Sequence, residues 1–357
     1  MLKIDQIKEK LRKEGLDAFL FNSYSNVFYL SRFSSSNAYI ILTDKEAYFI
    51  TDARYYENAK EKLKNFTVLE LKNGLKGLKY FINNLNIKNL GFEKDKITLS
   101  FYEKLKENLK PTLIGYEGFL NEFRISKTEE EIHIIKQAVI KIDNVYKKIL
   151  PWIKENVNNN LTELSIRKKV IDLIFEEGGT SESFPTIVAT GKHSAIPHWE
   201  TSEEPILKDA PLLIDMGLKY KGYCSDFTRT LYLGSLDSKF EKIYNIVKEA
   251  HIEAVNVVKA GIPIKEIDLT ARKVIEKYGY GDCFTHSTGH GIGIDIHEEP
   301  RIYKDNEEIL QENTVFTIEP GIYIPNWGGV RLENIVVARK DGVEVLTQTP
   351  LELVNLL

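Results

Sequence analysis

Residues 211–232 read PLLIDMGLKYKGYCSDFTRTLY, two apolar runs joined by a short polar turn. Such a pattern predicts an antiparallel hairpin. A turn at Tyr220 and Lys221 would set Asp215 opposite Asp226. Directly opposed side chains lie roughly 4.5 to 5.5 Å apart at Cβ, where like charges destabilise the pair. A lone aspartate would indicate a bulge or turn, but two facing aspartates in apolar strands indicate a cation between them.

A second hairpin repeats this arrangement. Residues 314–323 read TVFTIEPGIY and residues 329–337 read GVRLENIVV, and folding the chain about Asn326 sets Glu319 against Glu333. Buried carboxylates without a partner protonate or acquire one, and divalent ions are the simplest partner for hard oxygen ligands. Four carboxylates suit two ions that lie roughly 3.5 to 4 Å apart.

The segment 285–300, THSTGHGIGIDIHEEP, contains three of the seven histidines. Glycines on both sides of His290 allow a close approach of backbone and ligand, so His290 is predicted to complete the metal site. The alternative, a phosphate-binding loop, lacks both the Rossmann spacing and the Lys-Ser/Thr of a P-loop. His198 follows a loop containing glycine and by itself would be interpreted as a surface histidine. The predicted metal ligands are Asp215, Asp226, His290, Glu319 and Glu333.

Composition restricts the classes of partner. The chain has 357 residues with 43% apolar content, enough for two domains, and its 48 basic and 52 acidic residues give a net charge of -4. No strong field of one sign would attract nucleic acid or an anionic membrane, so neither is predicted as a partner. Charges scattered through the first 21 residues are not typical of a signal peptide. Two cysteines, without a CxxC pair, favour free thiols and a cytoplasmic location.

The pattern of apolar residues predicts two domains of different class. Residues 1–124 are expected to form an α/β domain, and residues 125–357 an α+β domain with an antiparallel sheet covered by helices. Within residues 125–132, a serine or threonine followed three positions later by glutamate marks the first helix of the second domain. The predicted helices are 4–15, 53–64, 73–84, two between 125 and 176, 237–259 and 264–278. The predicted strands are 18–21, 38–42, 47–50, 184–190, 211–217, 223–233, 284–290, 314–324 and 329–338.

The ordered ligand set resembles that of the pita-bread metallopeptidases, the family of methionine aminopeptidase, prolidase and aminopeptidase P. Residues 286–298, HSTGHGIGIDIHE, resemble the signature of the proline-directed branch. The first domain is similar to the creatinase-type amino-terminal domain through NVFYLSRF at 26–33 and TDARY at 51–55. Residues 123–127, FRISK, resemble the family's Leu-Arg-x-x-Lys entry to the catalytic domain, with Phe123 in place of leucine.

This resemblance implies an Xaa-Pro aminopeptidase that acts on peptides with proline at the second position, with prolidase as the alternative. A methionine aminopeptidase-like activity and a non-catalytic pita-bread binding module are further alternatives. It also implies two divalent ions, which could be Mn, Co, Zn or Fe, and a homodimer.

The resemblance also suggests roles for individual side chains. Glu319 would transfer a proton, His198 and His297 would bind the scissile carbonyl oxygen, and His286 would line the proline side and shuttle a proton. Tyr323 would have a supporting role. Arg331, two residues before Glu333 on one strand face, would orient carboxylates; its alternative is a surface ion pair.

Overall fold

The computed structural model describes residues 3–357, and the chain divides into two compact units, Met1–Phe123 and Arg124–Leu357. The first unit is a mixed six-stranded sheet in the order β4-β3-β2-β1-β5-β6 with helices between the strands. Its elements are α1 (Ile4–Lys13), β1 (Ala18–Phe21), α2 (Tyr24–Ser31), β2 (Ala38–Thr43), β3 (Ala47–Thr51), α3 (Ala53–Lys62), β4 (Thr67–Glu70), α4 (Gly74–Asn84), β5 (Asn89–Glu93), α5 (Leu99–Lys106) and β6 (Thr112–Tyr116), followed by the short α6 (Asn121–Ile125). The predicted α/β class of this region is therefore confirmed.

The second unit consists of antiparallel strands and two pairs of helices. Its helices are α7 (Glu129–Asn156), α8 (Glu163–Glu176), α9 (Ser238–Asn256) and α10 (Lys265–Lys277), with 3₁₀ turns at Gly191–Ala195 and Gly281–Cys283. Its strands are β7 (Ser181–Glu182), β8 (Ile187–Thr190), β9 (Ala210–Met216), β10 (Leu218–Tyr220), β11 (Tyr223–Cys224), β12 (Phe227–Leu233), β13 (Gly289–Gly291), β14 (Glu298–Ile302), β15 (Val315–Ile318), β16 (Gly321–Ile324), β17 (Gly328–Arg331), β18 (Asn334–Arg339) and β19 (Gly342–Val345).

Each helix pair covers its own set of strands. Apolar side chains of α7 and α8 form one core with β8, β9 and β12, in which Ile142, Ile166 and Leu212 are fully buried. Those of α9 and α10 form a second core with the strands from β15 to β18. The five-stranded sheet has the order β14-β13-β15-β18-β19. The predicted α+β arrangement is confirmed, because helices cover antiparallel strands in both halves.

The start of α7 confirms the predicted helix signal. The Thr128 hydroxyl accepts a hydrogen bond from the Glu131 backbone N–H, and the Glu131 carboxylate accepts one from the Thr128 backbone N–H at 2.9 Å. This reciprocal capping satisfies two donors that the first helical turn would leave without partners. Within residues 3–357, no helix combines the length and apolar character needed to span a bilayer.

The predicted register of the first hairpin is wrong. Each residue of the first strand pairs two positions further along the second strand than predicted. The turn lies at Lys221 and Gly222, which have φ values of 48° and 82°. Positive φ at both central residues is the geometry of the two-residue turns that match the twist of paired strands, and glycine readily adopts it. Asp215 therefore pairs with Thr228 rather than with Asp226. The glycine at 222 was the sequence signal that should have placed the turn.

The second hairpin has the predicted register. Ile318 pairs with Asn334 and Gly321 pairs with Arg331, so the same register continues on both sides of Glu319 and Glu333. Its turn contains Asn326, with a φ of 63°. The long strands predicted at 314–324 and 329–338 are each interrupted, at 319–320 and at 332–333. The strand predicted at 284–290 is wrong for residues 284–288, which form an irregular segment before β13.

Candidate metal centre

The five predicted metal ligands come from five segments of the second unit, most of them at strand ends. Asp215 lies near the end of β9 and Asp226 directly precedes β12, while His290 is the middle residue of β13. Glu319 lies between β15 and β16, and Glu333 lies between β17 and β18. Because the strands are interrupted at these two glutamates, their side chains need not alternate between the two faces of the sheet as they would in a continuous strand.

Three of these residues form a compact donor set. One ligand atom each from Asp226, His290 and Glu333 lies within 4.8 Å of the others. Glu319 joins this set through Oε1, which is 3.3 Å from His290 Nε2, while Asp226 Oδ2 is 3.5 Å from the same nitrogen.

The tautomer of His290 favours a cation at this place. Its Nδ1 lies 3.1 Å from the Gly291 carbonyl oxygen, which can only accept, so Nδ1 carries the proton. Nε2 is therefore the ring nitrogen that faces the two carboxylates. Carboxylate oxygens and an imidazole nitrogen turned towards one point are ligands of a divalent cation.

Burial and mutual repulsion shift the pKa values of the carboxylates upward. Burial followed by the negative charges of Asp215 and Glu319 raises the pKa of Asp226 well above its usual value. Burial and the charges of Asp226, Glu319 and Asp215 raise the pKa of Glu333 in the same way. The pKa of Glu319 is also raised by burial, although His290 and Arg331 partly offset the shift. Positive charge supplied at this place would favour the ionised form of each carboxylate.

Two buried oxygens of the site strengthen this conclusion. Asp215 Oδ1 and Glu333 Oε1 receive no hydrogen bond from the part of the chain that the structure describes. The second oxygen of each group is engaged, since Arg331 Nη2 donates to Asp215 Oδ2 at 2.6 Å and Thr228 Oγ1 donates to Glu333 Oε2 at 2.7 Å. A buried acceptor without a partner is costly, and a bound cation removes that cost. The residues present therefore fit divalent metal ions.

Arg331 connects several parts of the site. Besides Asp215 it donates through Nε to Thr228 Oγ1 at 3.2 Å and through Nη1 to the Tyr323 hydroxyl at 2.8 Å. Thr228 in turn donates to Glu333. β17 ends at Arg331, so Glu333 is not its neighbour on a strand face; Arg331 reaches Glu333 through Thr228 instead.

Tyr323 and His286 continue this network. His286 Nδ1 lies 2.8 Å from the Ser287 carbonyl oxygen, to which it must donate, so its Nε2 accepts a hydrogen bond from the Tyr323 hydroxyl at 2.8 Å. Burial, with a contribution from the charge of Arg331, lowers the pKa of His286 to about 3. Both ring nitrogens are thus engaged and the ring is neutral; the proton-shuttle role stays a prediction.

The two remaining histidines lie beside the donor set. The ring of His297 makes an edge contact with the ring of His290, with centroids 4.4 Å apart. Burial and the charges of His290 and His198 lower the pKa of His297, and the charge of His198 contributes to the low pKa of His286. His198 and His297 are both exposed. The four predicted histidines therefore lie around one place.

The structure adds two threonines that sequence reasoning missed. Thr228 links Arg331 to Glu333, and Thr317 donates to Glu319 Oε1 at 3.0 Å while accepting a hydrogen bond from the His290 backbone N–H. Thr317 lies only two residues before Glu319 in the chain, and this proximity was an available signal. Thr228 could be found only with the correct register of the first hairpin.

The glycines around His290 also allow neighbouring strands to approach closely. A Cβ on Gly289 would lie 1.8 Å from the Thr317 carbonyl oxygen, and a Cβ on Gly291 would lie 2.3 Å from the Glu299 carbonyl oxygen. Backbone segments on both sides of β13 therefore require glycine at these positions, and the predicted approach of a ligand stays a prediction.

A helix-covered antiparallel sheet that carries four carboxylates and a histidine has the ligands of a divalent-metal protein. Residues 133–340 match the model of metallopeptidase family M24, and residues 3–126 match that of the Creatinase/Prolidase N-terminal domain. The chain belongs to metallopeptidase family M24. The resemblance to the pita-bread metallopeptidases is thereby confirmed.

Several proteins with named activities are similar to nearly the whole chain. An Xaa-Pro dipeptidase of Pyrococcus horikoshii is 38% identical over 355 residues, 99% of this chain and 98% of that protein. The structure of an Xaa-Pro dipeptidase from Bacillus anthracis has a TM-score of 0.94 at 36% identity and covers 99% of both chains. The structure of an X-Pro aminopeptidase from Thermotoga maritima has a TM-score of 0.90 at 34% identity, covering 97% of this chain and 99% of that one.

Proposed function

We propose that this chain is a two-metal exopeptidase that hydrolyses the Xaa-Pro bond at the amino terminus of peptides. The observation that carries the proposal is the donor set itself. Asp226, Glu319 and Glu333 have raised pKa values, two buried carboxylate oxygens accept no hydrogen bond from residues 3–357, and His290 turns Nε2 towards the carboxylates of Asp226 and Glu319. The similarity to Xaa-Pro peptidases over nearly the whole chain supports the choice of substrate.

The ions would be held by Asp215, Asp226, His290, Glu319 and Glu333. Divalent ions in such a site lower the pKa of water and polarise a carbonyl group. Arg331 and Thr228 fix the orientation of Asp215 and Glu333, so these two carboxylates are held in place before substrate arrives. Mn, Co, Zn and Fe all accept this mixture of carboxylate and imidazole ligands.

The remaining residues divide the chemistry among them. Glu319 would take the proton of the attacking water and deliver it to the departing proline nitrogen, a task that a carboxylate placed beside that water can perform. His198 and His297 donate hydrogen bonds to the carbonyl oxygen as negative charge develops there. Tyr323 is held by Arg331 and His286, so it supports the wall of the site on the proline side.

Proline selectivity has a physical basis that substrates can test. The Xaa-Pro bond lacks an amide N–H and its ring fixes φ, so the site needs no acceptor there. Alanine in place of proline would bring a donor whose desolvation costs roughly 1 to 3 kcal/mol, and loss of ring contact adds about 1 to 2 kcal/mol. We expect kcat/KM for Ala-Pro-Ala to exceed that for Ala-Ala-Ala by about a hundredfold or more. Met-Ala-Ala is the control for methionine aminopeptidase activity; equal rates for the first two peptides, or preference for the third, contradict the proposal.

Prolidase activity is the second candidate, because the Pyrococcus horikoshii and Bacillus anthracis relatives are named Xaa-Pro dipeptidases. Comparing Ala-Pro with Ala-Pro-Ala separates the two. An aminopeptidase cleaves the tripeptide at least as well as the dipeptide, whereas a dipeptidase cleaves the dipeptide alone. A chain that binds metal but cleaves none of these peptides would instead be a non-catalytic binding module.

The proposal includes a homodimer in the cytoplasm, which acts on peptides and binds neither nucleic acid nor membrane. Two free thiols, Cys224 and Cys283, are consistent with a reducing compartment. Light scattering of the purified protein measures the assembly, and fractionation of the source cells measures the location. Metal analysis after gentle purification identifies the native ion and its number per chain.

A further inference from the structure

We propose that Arg124, Lys127 and Glu298 form a positioning cluster that fixes His297 in the site. Arg124 and Lys127 are the two charged residues of the Arg-x-x-Lys motif at the start of the second unit. The proposal gives this motif a role in the reaction. The inference deepens the proposed function and rests on it in one respect, namely that His297 acts on the substrate carbonyl.

The contacts of Glu298 define the cluster. Its Oε1 accepts hydrogen bonds from Arg124 Nη2 and, at 3.0 Å, from the Asp295 backbone N–H. Its Oε2 lies 3.3 Å from Lys127 Nζ. Arg124 Nη2 also donates to Asp295 Oδ2 at 2.8 Å. One carboxylate therefore binds two cations from one segment and a backbone amide from the loop that carries His297.

The cluster is buried to a degree that surface ion pairs do not show. The side chains of Lys127, Glu298 and Arg124 are 2%, 7% and 10% exposed. Ion pairs in water are weak and mobile, whereas charges removed from water hold a defined geometry because each needs its partner. Such a cluster can fix a loop.

The same loop is held from its other side by β11. The Cys224 backbone N–H donates to the Gly293 carbonyl oxygen at 2.7 Å. A Cβ on Gly293 would lie 2.7 Å from Glu298 Oε2, so the loop backbone packs directly on the carboxylate. Residues 293–298 are thus fastened at both ends, and the exposed ring of His297 projects from a rigid frame towards His290.

Positioning of this kind predicts a specific kinetic signature. A donor that acts only on the developing oxyanion lowers kcat and kcat/KM together when it is displaced, and leaves KM nearly unchanged. Misplacement of a catalytic group by about 1 Å costs up to roughly a hundredfold in rate. We expect Glu298→Gln to lower kcat by about ten- to a hundredfold with two ions still bound. Lys127→Met, which keeps the length of the side chain, should show the same pattern.

A double-mutant cycle separates positioning from a general structural effect. If the cluster acts through His297, Glu298→Gln added to His297→Ala lowers kcat no further. The matched control is Glu344→Gln, which removes a carboxylate paired with Lys136 and Arg339 in the same unit. This control should leave kcat unchanged. Additive losses in the cycle, or loss of metal from Glu298→Gln, would overturn the inference.

A second measurement does not depend on activity. The full chain, labelled with ¹⁵N at its seven histidines and kept free of metal, allows the His297 ring signals to be assigned by their loss in His297→Ala. We expect these signals to shift or broaden in Glu298→Gln and to be unchanged in Glu344→Gln. Unchanged signals in both variants contradict the inference. Failure of the wild-type protein to cleave any Xaa-Pro peptide would contradict the proposed function instead, and this measurement would still decide whether the cluster positions the ring.

Discussion

Two buried acidic groups of the second unit behave in opposite ways. Glu298 and Asp226 are both removed from water, and burial alone raises the pKa of each. At Glu298 the charges of Lys127 and Arg124 outweigh burial, and the pKa is lowered. At Asp226 the next contributions come from Asp215 and Glu319, which raise the pKa further, and Arg331 offsets them only in part.

This difference shows which acids the chain neutralises by itself. The Glu298 cluster is balanced by cations of the protein and can serve as a structural frame. The cluster of Asp226, Glu319 and Glu333 is not balanced, so it is built for cations from solution. Asp215 shares features of both clusters, since Arg331 donates a hydrogen bond to one of its oxygens, and the other is buried with no donor among residues 3–357.

The largest effect should come from removing an acid of the unbalanced cluster. Asp226→Ala should reduce hydrolysis to background and lower the bound metal, because the ions lose a ligand and Asp215 loses part of its site. Metal analysis beside a peptidase assay measures both. Glu298→Gln, which belongs to the balanced cluster, is the comparison and should retain two ions. Two ions and normal turnover in Asp226→Ala would mean that the proposed ligand set is incorrect.

A smaller effect is expected for the histidine between the two clusters. In His297→Ala we expect kcat to fall by about two to three orders of magnitude, the usual cost of one transition-state donor, with the metal content unchanged. The ratio of metal to protein, measured together with kcat, distinguishes the two roles. Loss of an ion from this variant would make His297 a ligand and assign it to the unbalanced cluster.

The smallest effect concerns the stability of the metal-free protein and has opposite signs in the two clusters. Carboxylates with raised pKa values stabilise the folded state at low pH, and this contribution is lost as pH rises through the raised pKa. Glu298 has a lowered pKa, so its contribution is present above its ordinary pKa and is lost as pH falls through the lowered one. With chelator present at pH 8, Asp226→Asn should therefore raise Tm, and Glu298→Gln should lower it.

Calorimetry between pH 4 and pH 8 tests this prediction, with each kcal/mol expected to change Tm by about 2 to 4 °C. The gain from Asp226→Asn should shrink towards pH 4, close to the ordinary pKa of an aspartate, because the wild-type carboxylate then begins to be protonated in the unfolded chain as well. Shifts of the same sign in the two variants would mean that charge balance does not distinguish the clusters.

The two hairpins show how far local sequence specifies local structure. In the second, the turn around Asn326 and the apolar alternation fix a single register, which was predicted correctly. In the first, the predicted turn lay one residue early, although Gly222 was a signal for the geometry with two positive φ values. The position of the turn determines which residue pairs with Asp215. The early turn therefore gave Asp226 as its partner in place of Thr228.

The sequence by itself determined the order of the ligand candidates, a helix start within residues 125–132 and the class of both units, because these depend on residue type, periodicity and short-range hydrogen bonds. It could not join Arg124 to Glu298, which is 174 positions away, or show that Arg331 reaches Glu333 through Thr228. Those contacts arise only when separate strands and loops are packed together. The pKa shifts depend on the same packing, since burial and the distances between charges are properties of the folded chain.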